Sequence, residues 1–370
     1  MRSLTPAESE PRMNILSTRR PRSRAALGAA VAATLALSLA ACSSDDAPAD
    51  GASDEAADYG DISVQLSWIK NAEFIGEYMA DTNGYYADAG FGTVNLVAGP
   101  STGVAELVSG QALVALSDAV SVGTAVANED APVKIIGTTF QKNPFTVLSL
   151  KDGGDIATPQ DMVGKKIGVQ DSNVSLFNAL LAANGISPDD VTVVPVQYDP
   201  SVLTNGEVDG FIAYLTNESL IVQAQGFEVT NLPFADNGLP FVAETVTVTD
   251  ESIAEDREKL KAFLKAEIQG WTDAIADPEA AVQLSLDGYG KDLGLDKDTE
   301  IASATEQNDE LVVSDETVAN GLFTISPELQ DETVASLANA GIDVEADDIF
   351  DLSLLDEVYS ENPDLKDYEG

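Results

Sequence analysis

The sequence contains no histidine and only one cysteine, Cys42. These two absences exclude metal sites built on histidine or cysteine, Ser-His-Asp triads and Cys-His nucleophile pairs. A lone cysteine also excludes a disulfide bond within the chain. What remains is a binding protein, a sensor or structural surface protein, or an enzyme that uses paired carboxylates alone, such as Asp118 and Glu218.

Basic residues are scarce, with 19 Lys and Arg against 63 Asp and Glu. We interpret this excess of acid as a solvated surface, and it excludes nucleic acid as a partner because phosphate binding needs basic groups. Arg257 is the only arginine after Arg24, and it lies on a predicted helix remote from the strand ends. Bidentate recognition of a small anion is therefore disfavoured. Backbone N–H groups at a predicted helix start near residues 172–175 could still hold an anion.

The N-terminal region predicts export and a lipid anchor. Residues 1–41 combine six arginines with an uncharged Ala/Leu-rich run, which is typical of a signal peptide. The Leu-Ala-Ala-Cys stretch resembles a bacterial lipobox, so Cys42 is predicted to be lipidated. Residues 42–60 are polar and acidic and predict a disordered tether. Removing residues 1–41, with their 6 Arg and 2 Glu, leaves 329 residues with 13 basic and 61 acidic side chains, a formal net charge of −48.

From residue 61 onward, strand and helix signals alternate, which predicts the α/β class. We expect a first lobe over residues 61–149, a second over 150–238, and a return to the first over 239–370, because about 150 residues per domain favours two lobes. Residues 73–89 predict one helix and residues 242–248 a strand. Arg257–Ala276 reads as a long amphipathic helix whose Trp271 belongs to the core.

Small polar side chains, with aromatic residues beside them, follow several predicted strands. Open α/β sheets bind ligands beyond the carboxyl ends of their strands, so two facing lobes would gather these side chains around one cleft. The candidate ligand-binding residues are Trp68, Asn71, Ser101, Thr102, Ser117, Asp118, Ser172, Asn173, Ser175, Tyr214, Asn217 and Glu218. We predict no metal site and no cofactor.

Four stretches resemble one family of transport proteins: SWIKNAEFIGEYMADTNGYYADAGF, ELVSGQALVALSDAVSV, TPQDMVGKKIGVQ and VDGFIAYLTNES. They are similar to the solute-binding proteins of bacterial ABC importers, in the group of nitrate, sulfonate and thiamine-precursor binders, and most of all to its THI5-like (NMT1-like) branch. The resemblance implies a two-lobed periplasmic-binding-protein (type II) fold with a hinge and an interlobe cleft. It also implies a monomer, anchored on the extracytoplasmic face of the cell membrane, that works with an ABC permease and its ATPase.

The resemblance further implies a small planar ligand, such as a pyrimidine precursor of thiamine or a riboflavin-like compound. Trp68 either stacks on the ligand ring or plugs the lobe surface or hinge. Asn217 and Glu218 either contact the ligand or begin a helix as its cap and first-turn carboxylate. Phe74, a further candidate ligand-binding residue that the resemblance implies, stands where the pyrimidine synthases of this family carry a histidine. Their cysteine-rich iron motif is missing too, so a self-consuming synthase is excluded. The alternatives are a binder of nitrate or an alkanesulfonate and, further off, a hydrolytic or lyase enzyme.

Overall fold

The computed structural model describes residues 57–368. The predicted signal peptide, Cys42 and most of the predicted tether lie outside the described residues. The first strand begins at Gly60, inside the stretch predicted as tether, and the amide of Tyr59 donates to the carbonyl of Gly90 at 2.8 Å. The last residues assigned to the tether therefore belong to the folded body. Within residues 57–368, no helix is both long and apolar enough to cross a membrane.

Residues 57–368 form ten strands in two five-stranded sheets. The strands are β1 (Gly60–Gln65), β2 (Phe91–Val97), β3 (Val114–Asp118), β4 (Val133–Phe140), β5 (Phe145–Leu150), β6 (Lys166–Val169), β7 (Thr192–Pro195), β8 (Gly210–Tyr214), β9 (Val229–Pro233) and β10 (Ala243–Thr249).

The first sheet has the order β2-β1-β3-β10-β4 and the second β7-β6-β8-β5-β9. Strand β1 runs parallel to β2 and β3, whereas β10 is antiparallel to both β3 and β4. In the second sheet, β6 is parallel to β7 and β8, and β5 is antiparallel to β8 and β9. The chain thus leaves the first sheet after β4, builds the whole second sheet, and returns as β10.

Helices cover the sheets and form the C-terminal part of the described chain. They are α1 (Ile75–Thr82), α2 (Tyr85–Asp88), α3 (Val104–Val108), α4 (Ala119–Glu129), α5 (Val174–Ala183), α6 (Ser201–Thr204), α7 (Glu218–Ala224), α8 (Asp250–Glu255), α9 (Arg257–Ala276), α10 (Pro278–Leu284), α11 (Lys297–Gln307), α12 (Asp315–Asn320), α13 (Pro327–Asn339), α14 (Ala346–Ile349) and α15 (Ser353–Glu361). Short 3₁₀ or π segments occupy Ala72–Phe74, Pro159–Met162, Asp171–Asn173, Pro188–Asp190, Ala235–Asn237, Ser285–Tyr289, Asn308–Val312 and Pro363–Lys366.

The single helix predicted over residues 73–89 is wrong as one continuous element. The chain makes a 3₁₀ turn at Ala72–Phe74, then α1, and breaks before α2. The break falls at Gly84, whose φ of 82° lies in the left-handed region that ends helices. The predicted helix Arg257–Ala276 is confirmed with the same bounds as α9.

Helices α1 and α9 cross at glycines, which lets their backbones approach closely. A Cβ atom on Gly270 would lie 2.3 Å from the carbonyl oxygen of Gly76, and one on Gly76 would lie 2.2 Å from the Trp271 ring. Trp271 is 1% exposed, which confirms its predicted place in the core. The main hydrophobic core extends from this crossing and the first sheet into the second sheet, where a smaller separate cluster lies around Leu148 and Phe211.

The same helix crossing buries two acidic side chains, Glu77 of α1 and Glu267 of α9, at 1% exposure each. The hydroxyl of Tyr86 donates to Oε1 of Glu267. Burial raises the pKa of Glu267 to about 8, and burial together with the charge of Glu267 raises the pKa of Glu77 well above its usual value. These groups lie away from the cavity described below.

We expect Gly76→Ala to lower the free energy of unfolding by about 1–3 kcal/mol, because the added methyl group forces Trp271 or the helix backbone to move. Urea unfolding followed by tryptophan fluorescence measures this. Gly288→Ala is the matched control, because no atom lies within 4 Å of a Cβ placed there. Equal destabilisation by the two variants would contradict the close crossing.

Candidate functional site

A cavity opens between the two sheets at the ends of β1, β3 and β8. It encloses about 480 Å³ including its solvent-filled mouth. Residues from both sheets and their following loops line it: Ser67, Trp68, Glu73, Ser101, Thr102, Ser117, Asp118, Phe145, Ser172, Asn173, Ile212, Ala213, Tyr214, Asn217, Glu218 and Glu244. The cavity therefore lies where open α/β sheets place ligands, beyond the carboxyl ends of parallel strands.

Trp68 is held at the cavity wall by two loops that hydrogen-bond to each other. The amide of Gly99 donates to the carbonyl of Trp68 at 2.7 Å, and the amide of Ser101 donates to the carbonyl of Ser67 at 3.0 Å. These bonds tie the segment after β1 to the segment after β2. The Trp68 side chain is 9% exposed, so it forms part of the cavity wall while most of its surface is packed.

The opposite wall comes from the second sheet. Asn173 lies in the turn after β6, where its amide donates to Oε1 of Gln170 at 3.0 Å, and Gln170 donates in turn to the carbonyl of Ile212 at 3.0 Å. Tyr214 ends β8, and its ring meets the Phe145 ring edge-on with centroids 4.6 Å apart and planes at 87°. This edge-on contact fixes the direction of the Tyr214 hydroxyl.

Asn217 and Glu218 begin α7 directly beside the cavity. Asn217 occupies the N-cap position, but its side chain makes no capping hydrogen bond and instead donates to Oε1 of Glu218 at 3.3 Å. Oε2 of Glu218 accepts from the backbone amide of Tyr214 at 2.9 Å. Burial raises the pKa of Glu218 to about 7, opposed by backbone hydrogen bonds and by the Trp68 indole. The Asn217 side chain is therefore not a helix cap.

Glu244 lies at an irregularity in β10 and points into the cavity. The pairing register with β3 shifts between Ala243 and Thr245, and Glu244 has a φ of 46°, in the left-handed region that side-chain-bearing residues rarely adopt. Such strain is held only where surrounding contacts fix the residue. Here Ser67 Oγ donates to Glu244 Oε1 and Oε2 at 2.9 and 3.0 Å, and the Tyr214 hydroxyl donates to Oε1 at 2.9 Å.

The hydrogen bond from Tyr214 to Glu244 joins the second sheet to the first across the cavity. Burial raises the pKa of Glu244 to about 7, although hydrogen bonds from Glu73, Ser67 and Tyr214 oppose the rise. Burial, followed by the neighbouring Glu244, raises the pKa of Glu73 well above its usual range. Glu73 and Glu244 thus form a close pair of carboxyl groups.

Asp118 is the fourth acidic side chain of the lining. Its Oδ1 accepts from the amide of Ser121 at 2.9 Å and its Oδ2 from the Ser121 hydroxyl at 2.6 Å, so it caps α4. Burial raises its pKa, and the Ser121 hydrogen bonds oppose the rise. No lysine or arginine is among the lining residues, and within residues 57–368 no three acidic side chains are arranged to hold a metal ion. The cavity presents acceptors to a ligand and offers it no cation.

The cavity brings together Trp68, Ser101, Thr102, Ser117, Asp118, Ser172, Asn173, Tyr214, Asn217 and Glu218 among the candidates from the sequence. Three others do not line it. The Asn71 side chain accepts from the amide of Glu73 at 3.2 Å and caps the 3₁₀ turn, so it is used locally. Phe74 is 1% exposed and packs in the core. Ser175 is partly exposed on the first turn of α5, outside the lining.

Six residues of the lining, two of them acidic, were not predicted from the sequence: Ser67, Glu73, Phe145, Ile212, Ala213 and Glu244. Two of them, Ser67 and Glu73, flank Trp68 in the same sequence motif. The signal for Glu244 was its position as the one charged residue in the otherwise uncharged stretch 241–248. A charge inside a buried strand has to be explained by a partner or a function.

Comparison with known proteins gives a family and several relatives. The family described as NMT1/THI5 like matches residues 71–281. The riboflavin-binding protein RibY of Chloroflexus aurantiacus is 28% identical over 240 residues, which cover 61% of this chain and 65% of the relative. The formylaminopyrimidine-binding protein of Halalkalibacterium halodurans is 26% identical over 257 residues, 68% of this chain and 75% of the relative. The 4-amino-5-hydroxymethyl-2-methylpyrimidine phosphate synthase of Schizosaccharomyces pombe is 27% identical over 232 residues, which cover 59% of this chain and 66% of the relative.

Among solved structures, the periplasmic nitrate-binding protein NrtA of Synechocystis PCC 6803 superposes with a TM-score of 0.60 at 15% identity. The match covers 82% of this chain and 89% of that chain. At this identity the likeness concerns the fold alone. It confirms the predicted two-lobed periplasmic-binding-protein fold, in agreement with the two separate sheets and the cavity between them.

We expect the free energy of unfolding of the ligand-free protein to rise as the pH falls from about 8 to about 5. Glu218 and Glu244 have folded pKa values of about 7, above the usual value of about 4.3. Their contribution to stability is thus present when they are protonated and is lost as the pH rises through 7, at roughly 3 kcal/mol for one such group. Urea unfolding at several pH values measures the slope.

Glu244→Gln removes one of these titrating groups and should make the slope shallower. Glu228→Gln is the matched control, because it removes a carboxylate whose side chain is 80% exposed instead of a buried one. An unchanged slope in Glu244→Gln would contradict the raised pKa of Glu244.

Proposed function

Because the chain belongs to the NMT1/THI5-like family, we propose that it is the solute-binding component of an ABC importer. Its ligand is a small planar heteroaromatic nutrient, a pyrimidine precursor of thiamine or a riboflavin-like compound, held between the two lobes. The observation that carries this proposal is the chemistry of the cavity lining, in which aromatic rings and buried carboxyl groups occur together without a cation. The names of the riboflavin-binding and formylaminopyrimidine-binding relatives support the same ligand class.

The carboxyl groups favour a ligand that brings hydrogen-bond donors. Glu218 begins α7 and Glu244 lies in β10, both line the cavity, and carboxylates act only as acceptors when ionised. Ring N–H and amino groups supply the matching donors. A planar ring can also stack on Trp68, and a stacked aromatic pair contributes about 0.5–1.5 kcal/mol to the binding free energy beyond its buried area.

The alternative ligand, nitrate or an alkanesulfonate, meets unfavourable charge in this cavity. Anion sites rely on arginine, lysine or clustered N–H donors. Arg257 is engaged elsewhere, with its guanidinium 2.7 Å from Glu357. The acidic lining offers an anion no positive charge, so the heterocycle is the better match.

Catalysis is not part of the proposal. The synthase relative is an enzyme by name, but this chain has no histidine and a single cysteine. Both oxygens of Asp118 are occupied by Ser121, which leaves that carboxylate poorly placed for proton transfer. Binding without turnover is the function that the remaining groups support.

The proposal includes anchoring by a lipid on Cys42 and delivery of the ligand to an ABC permease and its ATPase on the extracytoplasmic side of the membrane. Support for the anchor comes from the Leu-Ala-Ala-Cys stretch after an uncharged Ala/Leu-rich run. Support for the permease partner comes from the family.

Trp68→Ala should weaken the binding of riboflavin or of 4-amino-5-hydroxymethyl-2-methylpyrimidine about tenfold or more, because a stacking surface at the cavity wall is removed. Isothermal titration calorimetry measures the affinity, and circular dichroism checks the fold. Tyr198→Ala removes an aromatic side chain that is 42% exposed and outside the lining, and it should bind like the wild type. Unchanged affinity in Trp68→Ala would mean that Trp68 only closes the lobe surface. Tighter binding of nitrate or taurine than of either heterocycle would favour the alternative ligand.

Cys42→Ala should release the protein expressed in a lipoprotein-processing bacterium from the membrane fraction, because the thiol that accepts the lipid is lost. Fractionation with immunoblotting, with Ser43→Ala as control, measures this. Continued membrane association of Cys42→Ala would contradict lipidation.

A further inference from the structure

Glu73 is buried at the cavity wall with one carboxyl oxygen that has no hydrogen-bond partner. The side chain is 4% exposed, and its Oε2 is without a donor. Leaving a buried carboxyl oxygen unsatisfied destabilises the folded protein, and more so when the group is charged. The arrangement therefore calls for either a proton on Glu73 or a donor from a ligand.

The neighbouring donors are too few for two carboxylates. Ser67 Oγ lies 3.2 Å from Oε1 of Glu73 and 2.9 and 3.0 Å from the two oxygens of Glu244, but a hydroxyl has only one proton to donate. The Tyr214 hydroxyl is committed to Glu244. Glu244 thus has donors from Ser67 and Tyr214, while Glu73 has none that is its own. A proton on Glu73, donated to Glu244, satisfies both side chains.

The charges around the pair also require a proton there. The titratable groups that face it from the surrounding elements are acidic or phenolic, namely Glu77 and Tyr78 of α1, Asp118 at the end of β3, Tyr214 of β8 and Glu218 of α7. No lysine or arginine lines the cavity. Two adjacent buried charges of like sign are strongly disfavoured, so one proton remains on the pair.

We propose that Glu73 and Glu244 share one proton and together select the ligand, a heterocycle that carries an N–H donor beside an acceptor atom on one edge. On binding, the ligand N–H donates to Glu244, and the O–H of Glu73 turns from Glu244 to the ligand acceptor. No proton is gained or lost in this exchange. An amidine-type edge (N=C–NH₂) and an imide-type edge (O=C–NH) both satisfy the pair, whereas an anion or a ligand with acceptors alone does not.

The inference rests on the proposed solute-binding function and makes a separate prediction about pH. Above the ionisation of Glu73, the pair loses its only proton, so it has no donor for the ligand acceptor and bears two adjacent charges. The affinity of a neutral heterocycle should therefore fall as the pH rises, by up to about tenfold per pH unit. The raised pKa of Glu73 places this fall above the pH range in which ordinary carboxyl groups titrate.

The test is calorimetric titration of the soluble protein from residue 43 onward with riboflavin and with 4-amino-5-hydroxymethyl-2-methylpyrimidine, from about pH 6 to about pH 9. For the wild type we expect the affinity to fall as the pH rises. Glu73→Gln keeps a donor and an acceptor but does not titrate, so it should lose this fall, whatever its affinity near neutrality. Glu267→Gln, which removes a buried carboxyl group at the α1–α9 crossing, is the matched control and should keep the fall.

The possible results of this titration lead to different conclusions about the shared proton. A fall in the wild type that is absent in Glu73→Gln supports the shared proton. Binding that does not change with pH, or a fall that Glu73→Gln retains, overturns the inference while the solute-binding function stands. If neither heterocycle binds at any pH, the proposed function fails and the inference fails with it.

Discussion

The burial of carboxyl groups without neighbouring cations is the constraint on which this structure depends. A buried charge is tolerated only when hydrogen bonds, a proton or an opposite charge compensate it. At the cavity, Ser67 and Tyr214 supply the hydrogen bonds, and Tyr214 belongs to the other sheet from Glu244. The requirement to satisfy Glu244 therefore links the two lobes at the place where a ligand would enter.

Helix α11 reinforces this link from outside the cavity. Oε2 of Glu300 accepts from the amide of Ala72 at 2.8 Å, on the side of the first sheet, and the Ser303 hydroxyl donates to the carbonyl of Thr216, on the side of the second. One helix thus touches the turn before α1 and the turn before α7. Any opening of the cleft has to change one of these two contacts, which couples the position of α11 to the width of the cavity.

Much of the site follows from local sequence together with one general rule. Small polar residues after predicted strands were expected to meet around one cleft between two lobes, and Ser101, Ser117, Asn173 and their neighbours do line one cavity. Asn71 departs from the expectation because a capping bond to the next turn uses its side chain. Glu244 was missed because its direction depends on a register shift between β10 and β3, strands far apart in sequence. Such a long-range irregularity has no local sequence pattern.

The position of β10 has a consequence for how the chain folds. This strand lies between β3 and β4 and pairs with both, although the whole second sheet separates it from them in sequence. During synthesis from the N-terminus, the first sheet therefore cannot be completed until residues 243–249 have been made. Strand β4 lacks its partner β10 during the synthesis of the second sheet. High contact order of this kind slows folding. For the export that residues 1–41 predict, slow completion would keep the chain unfolded enough to be translocated.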